Sequence, residues 1–245
     1  SSAASDVYKR QSKSHKNIEI WQRDASFLLS LQSKSLHMLI GRNKEIQELQ
    51  QAYDSDESKF VAIFGRRRIG KTYLVREVFQ DKFAFTYSGM ANASTKGQLL
   101  RFYLSLKDHG YKSTARPNNW IEAFYMLEQF LKELPEGKKV VFLDELPWMD
   151  APKSSFMPAF ENFWNAWASA RKDILLIVCG SATSWMIKKI LKNRGGLHNR
   201  LNNQIHLQPF NLHECELYAK GIHLPMERQE IMEAYMVFGL SLIHI

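Results

Sequence analysis

Gly65-Arg66-Arg67-Arg68-Ile69-Gly70-Lys71-Thr72 is the stretch on which the fold turns. It has the spacing G-x-x-x-x-G-K-[ST]. It lies between an apolar run, Phe60-Val61-Ala62-Ile63-Phe64, and an amphipathic stretch from Lys71 to Phe79. A strand, a glycine-bearing turn and a helix in that order predict a phosphate-binding loop. Gly65 and Gly70 let the backbone wrap so that its amides point at phosphate oxygens, and the helix that starts near Lys71 adds its positive end. Lys71 is expected to reach the β- and γ-phosphates and Thr72 to hold magnesium (Mg2+). Ile69 and Tyr73 belong to the same nucleotide-lining stretch. Arg66, Arg67 and Arg68 leave three readings open: contact with phosphate, contact with a neighbouring subunit, or a solvated turn.

Further along, Val140-Val141-Phe142-Leu143-Asp144-Glu145 is a buried-type strand ending in two carboxylates. In a parallel sheet such a strand arrives beside the phosphate loop at the C-terminal edge. Asp144 is expected to hold the metal, directly or through water, and Glu145 to orient the attacking water, because phosphoryl transfer needs a positioned nucleophile as well as neutralised charge. Ser181 and Thr183 follow another apolar run, Ile174 to Cys179, where a polar side chain reaches the γ-phosphate or the water. Thr183 suits a helix cap equally well. Arg200 is a candidate for transition-state charge, in cis or towards a neighbour, with a plain surface arginine as the alternative.

Periodicity supplies the frame around these motifs. Glu45 to Tyr53 places Ile46, Leu49 and Tyr53 at helical spacing. Phe83 to Tyr87 predicts a strand, Thr95 to His109 and Ile121 to Leu134 helices, and Val140 to Leu143 a central strand. Phe156 to Ala170 predicts an aromatic-rich helix, Ile174 to Cys179 a strand, Thr183 to Leu191 a helix and His206-Leu207 a last short strand. Leu212 to Ala219 and Arg228 to Phe238 predict the helices of a small appended unit. Strands alternating with helices give an α/β fold, a mainly parallel sheet with helices on both faces.

Composition agrees with a folded, water-facing protein. The 245 residues are 45% hydrophobic and 24% charged, enough to bury a core. The net charge of +8 favours an anionic partner, but Lys and Arg are spread along the chain, so charge alone says little about nucleic acid. No apolar run is long enough for a membrane span, and two cysteines make no disulfide framework; a reducing cytoplasmic setting is the expectation. Trp148, Trp164, Trp167 and Trp185 are expected to supply packing surface.

The two ends read differently. Asp6-Val7-Tyr8-Lys9-Arg10-Gln11 can be encoded by a DNA string whose reverse complement reads Leu240-Ser241-Leu242-Ile243-His244-Ile245. That pattern is expected of transposon-end adapter carried into a library insert, which confines the natural portion to 12–239 and implies truncation at its C-terminus. Residues 1–37 read as an adapter-like start and a leader, with two readings open: Met38 is the true start, or Ile18 to Leu36, which has enough apolar positions, forms a helix.

With these motifs in place, the chain resembles the AAA+-related P-loop ATPases of the archaeal-type family, also common in gut bacteria. The resemblance rests on MLIGRNKEIQEL at 38–49, FGRRRIGKT at 64–72, VVFLDELPWMD at 140–150, IVCGSATSW at 177–185 and GGLHNRLNNQIHLQPF at 195–210. It implies an AAA+-like ATPase core over 38–210 and the start of a helical lid over 211–239. Ile40, Gly41 and Arg42 would open the segment near the adenine, Asp144 and Glu145 would be the metal and water-activating pair, and Ser181 would fall in the first sensor region. Relatives continue into the rest of the lid and often a winged-helix or nuclease-like region. The activity implied is magnesium-dependent ATP binding and hydrolysis coupled to conformational change. The alternatives are a slow ATP-binding switch and a DNA-associated ATPase that needs the missing C-terminal region. That the ligand is ATP and not GTP is implied mainly by the resemblance; no guanine-reading Asn-Lys-x-Asp segment is present. Self-association and a DNA or protein partner are the expected macromolecular contacts.

Overall fold

Strand β1 (Lys59–Phe64) carries no polar residue after Lys59 because both its faces are covered. Phe60, Ala62 and Phe64 point into one apolar layer, Val61 and Ile63 into the other. The computed structural model describes residues 39, 41–192, 196–197 and 199–238. The expectations for 1–38, Ile40 and 240–245 lie outside the described residues.

Four more strands complete the sheet: β2 (Phe83–Ser88), β3 (Lys139–Asp144), β4 (Ile174–Gly180) and β5 (Asn203–His206). Their order is β2-β3-β4-β1-β5, and every pairing is parallel. Parallel neighbours need long crossovers, and the intervening helices provide them. On one face lie α1 (Asn43–Asp54) and α2 (Lys71–Phe79), which contribute Leu49, Leu74, Val75 and Phe79. On the other lie α3 (Thr95–Asp108), α4 (Trp120–Glu133) and α5 (Phe156–Asn162). Their Phe102, Trp120, Phe124, Phe156 and Phe160 interlock as tilted, stacked and edge-on rings. Each such side chain contributes about 1.5–3 kcal/mol by leaving water.

Three elements differ from expectation, one of them the helix over 183–191, which winds as a short α-helix and then a π segment. The helix foreseen over 156–170 winds as α5, then a π segment over Phe163–Trp167 and a 3-10 turn over Ala168–Ala170. Phe163 and Trp164 are both buried there although adjacent in sequence. The last strand is Asn203–His206, not 206–207; it lies at the sheet edge, where polar residues alternate with buried ones and no apolar run announces it. Leu207 still donates its amide to Phe64 O at 2.9 Å.

Helix α6 (Thr183–Met186) follows β4 and runs into a π segment, Ile187–Leu191. Its N-cap is Ala182, so Thr183 is not the cap. Then come α7 (Leu212–Gly221), opened by a capping box of Asn211 and Glu214, and α8 (Arg228–Phe238). These two share a small apolar cluster of Phe210, Cys215, Ala219 and Ile231. At the N-terminal end of the sheet the buried Lys139 pairs with Asp173 at 2.7 Å, and Arg171 reaches the same carboxylate at 2.6 Å. Among the described residues no helix is long and apolar enough to cross a membrane.

Candidate functional site

The strand order puts β3, β4 and β1 side by side, so the turns that leave their C-terminal ends adjoin. Those turns carry Asp144-Glu145, Ser181 and the 65–72 loop. Gly65 has φ 148°, and a Cβ there would overlap Leu207 O and stand 2.8 Å from Ile69 Cδ1. Gly70 has φ 87° and caps α2, the helix whose first turn contains Lys71 and Thr72. Ile69 is 2% exposed and anchors the loop in the core.

Lys71 is buried and bends back over its own loop, donating from Nζ to Gly65 O (3.1 Å) and Arg66 O (2.8 Å). Burial lowers its pKa, while Cys179, Glu145 and Asp144 act the other way. Thr72 Oγ1 donates to Asp144 Oδ2 at 2.8 Å, and Glu145 N donates to Asp144 Oδ1 at 3.0 Å. Burial raises the Asp144 pKa against the Thr72 hydrogen bond. A hydroxyl and a carboxylate oxygen this close suit magnesium, which takes one or two protein oxygens and completes its shell with water and phosphate. Among the described residues no cluster of three or more His, Cys, Asp or Glu side chains forms a self-sufficient metal cage.

Glu145 sits in the left-handed region at φ 48°, a conformation that costs a non-glycine residue about 1–3 kcal/mol. Besides the bond from its amide to Asp144, two contacts hold it. Trp148 N donates to Glu145 O at 3.0 Å, closing a turn, and Ser181 Oγ donates to Glu145 Oε2 at 2.9 Å. Beside Asp144 lies an open cavity of about 150 Å³ lined by Arg76, Thr86, Ser88, Arg101 and Ser105 among others. Cys179 lies beneath the loop, fully buried, and its thiol pKa is pushed well up by burial.

The remaining candidates separate. Arg67 is exposed, its guanidinium 5.7 Å from the centre of the half-buried Trp148 ring. Arg66, Arg68 and Tyr73 are exposed. Arg42 is buried: it donates to Gln208 O at 2.5 Å, faces Glu45 at 3.5 Å and covers the Phe210 ring at 4.5 Å. Gly41, with φ 75°, lies next to Phe210 and Glu214. Ile40 is outside the described residues. Arg200 is exposed in a turn, its amide on Leu197 O, and among the described residues no hydrogen bond or ion pair brings it to Lys71, Asp144 or Glu145. Thr183 N donates to Ser181 O at 3.0 Å. Gln98, fully buried on α3, escaped the motif reading; the signal was a lone amide on the face shared by Leu99, Phe102 and Leu106.

Comparison with known proteins gives the family and the fold. A family model described as an ATPase domain predominantly from Archaea matches residues 39–241. An uncharacterised protein of Methanocaldococcus jannaschii is 26% identical over 205 residues, covering 81% of this chain and 41% of that protein. Among solved structures, the Walker-type ATPase of Pyrococcus abyssi superposes with a TM-score of 0.55 at 16% identity over 83% of this chain and 64% of that one. Cdc6p of Pyrobaculum aerophilum does so with a TM-score of 0.54 at 16% identity over 76% and 50%. At such identities the likeness is one of fold. The chain spans about two fifths of the length of the Methanocaldococcus relative.

Proposed function

The chain belongs to the family of ATPase domains found predominantly in Archaea, and from that premise we propose that it hydrolyses ATP with magnesium in the crevice formed by the turns after β1, β3 and β4. The observation that carries the proposal is the hydrogen-bonded series Thr72–Asp144 and Glu145–Ser181, which joins the phosphate loop to the end of β3 and the end of β3 to that of β4.

Each group has a task. The loop amides and the start of α2 receive the phosphates. Lys71 gives up Gly65 O and Arg66 O and moves its ammonium to the β- and γ-phosphates. Thr72 and Asp144 would hold magnesium, which supplies charge neutralisation on the phosphates when bound. Glu145 orients the attacking water and takes its proton as the water oxygen bonds to the γ-phosphorus and the bridging oxygen leaves with ADP. Ser181 aims the Glu145 carboxylate.

Coupling to conformation follows from the loop's other neighbour. Gly65 abuts Leu207 O, and Gln208 O accepts from Arg42, so a shift in the loop is felt by the segment that leads into α7. We assign α7 and α8 as the beginning of a lid moved in this way.

The test is magnesium-dependent phosphate release from ATP, with bound nucleotide quantified alongside, for the parent chain, Lys71→Ala and Glu145→Gln. Expected is loss of binding in the first variant and, in the second, retained ATP with turnover down by about a hundredfold. ATP held by the parent without turnover would sink hydrolysis and leave a nucleotide-binding switch.

A further inference from the structure

Gln98 is 0% exposed, yet its amide has every hydrogen-bonding position filled. Oε1 accepts from Tyr87 Oη at 2.5 Å and from Met90 N at 3.1 Å. Nε2 donates to Met90 O at 2.7 Å and to Trp148 O at 2.9 Å. A buried amide is costly unless fully paired, and once fully paired it admits one geometry for its partners. Those partners come from three places: the end of β2, the connection that follows it, and the turn after β3.

That turn is the one that sets Glu145. Trp148 N holds Glu145 O, while Trp148 O is held by Gln98. Gly89 presses on the same turn from the β2 side; a Cβ there would come 2.6 Å from Glu145 O and 3.1 Å from Trp148 Cβ. The indole of Trp148 carries Arg67 of the phosphate loop. Gln98 therefore fastens, through one residue, both the left-handed Glu145 and an arginine of the loop, without touching the crevice itself.

We propose that Gln98 is a positioning residue for hydrolysis, holding the 145–149 turn so that the Glu145 carboxylate meets the attacking water; this rests on the ATPase reading above. Other features support no site as well. In the cavity beside Asp144 the arginines face carboxylates: Arg101 contacts Asp108 at 3.4 Å, and the charge of Arg76 acts on Asp144.

The test uses the full chain and three variants. Gln98→Met keeps the length of the side chain and removes all four hydrogen bonds. Gln98→Glu, isosteric, keeps an acceptor for Tyr87 and Met90 N and sets a carboxyl oxygen in place of the amide nitrogen against Met90 O and Trp148 O, which keeps the test open should the methionine variant fold poorly. Tyr87→Phe removes one partner and leaves both donors in place.

Expected is a fall in kcat of about tenfold or more in both Gln98 variants with ATP affinity and KM within about threefold, the signature of a misplaced group and not of lost binding. Amide exchange over 145–149 should quicken in the same two variants, while Tyr87→Phe keeps kcat within about threefold of the parent. The inference is overturned if kcat is unchanged in both Gln98 variants, if kcat and ATP affinity fall together, or if turnover drops without faster exchange over 145–149. A parent chain that binds ATP but never turns it over overturns the hydrolysis reading and this one with it; a parent that turns over beside unaffected Gln98 variants overturns this one alone.

Discussion

Ser181 Oγ donates a 2.9 Å hydrogen bond to Glu145 Oε2, tying the residue after β4 to the residue after β3. The two are far apart in sequence and adjacent only because β3 and β4 pair along their length. Among the described residues this bond is the side-chain hydrogen bond that fixes the direction of the glutamate's carboxylate. Ser181→Ala should lower turnover by about tenfold while ATP affinity stays within about threefold, measured by steady-state kinetics beside equilibrium binding.

Thr72 and Asp144 make a second such pair, and there the readout is the metal. Thr72→Val keeps the shape and removes the hydroxyl. Nucleotide affinity in magnesium should fall by about tenfold, and the difference between magnesium and a chelator should shrink, as titration calorimetry in the two buffers would record. Equal affinities for variant and parent in magnesium would remove Thr72 from the metal shell.

Gly65 answers a steric question. Any Cβ at φ 148° would strike the Leu207 carbonyl. Gly65→Ala should cost about 1–3 kcal/mol of stability and abolish tight nucleotide binding, seen as a lower urea midpoint and a flat titration curve.

The far end of the sheet governs acid stability. Hydrogen bonding to Arg171, with the Lys139 contact added, lowers the Asp173 pKa from 3.8 to about 2. A carboxylate whose folded pKa is depressed contributes stability that is complete above its unfolded pKa and is lost as pH falls through the folded one. Urea unfolding should therefore show this contribution disappearing between about pH 4 and pH 2. Asp173→Asn should remove about 1–2 kcal/mol at pH 7, the partly exposed site being screened and Lys139 being left buried without its partner. The gap between variant and parent should close at the acid end.

Legibility along the chain followed burial. Strands covered on both faces, such as Phe60–Phe64 and Ile174–Cys179, are apolar runs and could be read directly. The edge strand Asn203–His206 is half exposed and carries mixed residues, and its sequence signal begins only at His206, three residues after its start. The change of winding after Asn162 left no pattern in the sequence, because regular α-helix and π segments use the same residue types.

In the site, types and spacing of residues marked Lys71, Thr72, Asp144 and Glu145 without marking how they meet. Gln98 was silent for a related reason: a glutamine on an apolar helix face is distinctive only when four partners are seen around it. The contact of Arg67 with the Trp148 ring joins residues far apart in sequence, and no spacing announces it.

What the sequence by itself determined is the class of machine: a glycine-bearing loop between strand and helix, a carboxylate pair ending a buried strand, and alternating strands and helices leave few other folds. These signals are local, written in residues next to one another. Only the tertiary structure decided that β4 lies between β1 and β3, that Ser181 reaches Glu145, and that Gln98 holds the turn beneath it. Those are contacts between residues distant along the chain. They arise from strand order and from the need of every buried polar group for a partner, and local spacing does not specify either.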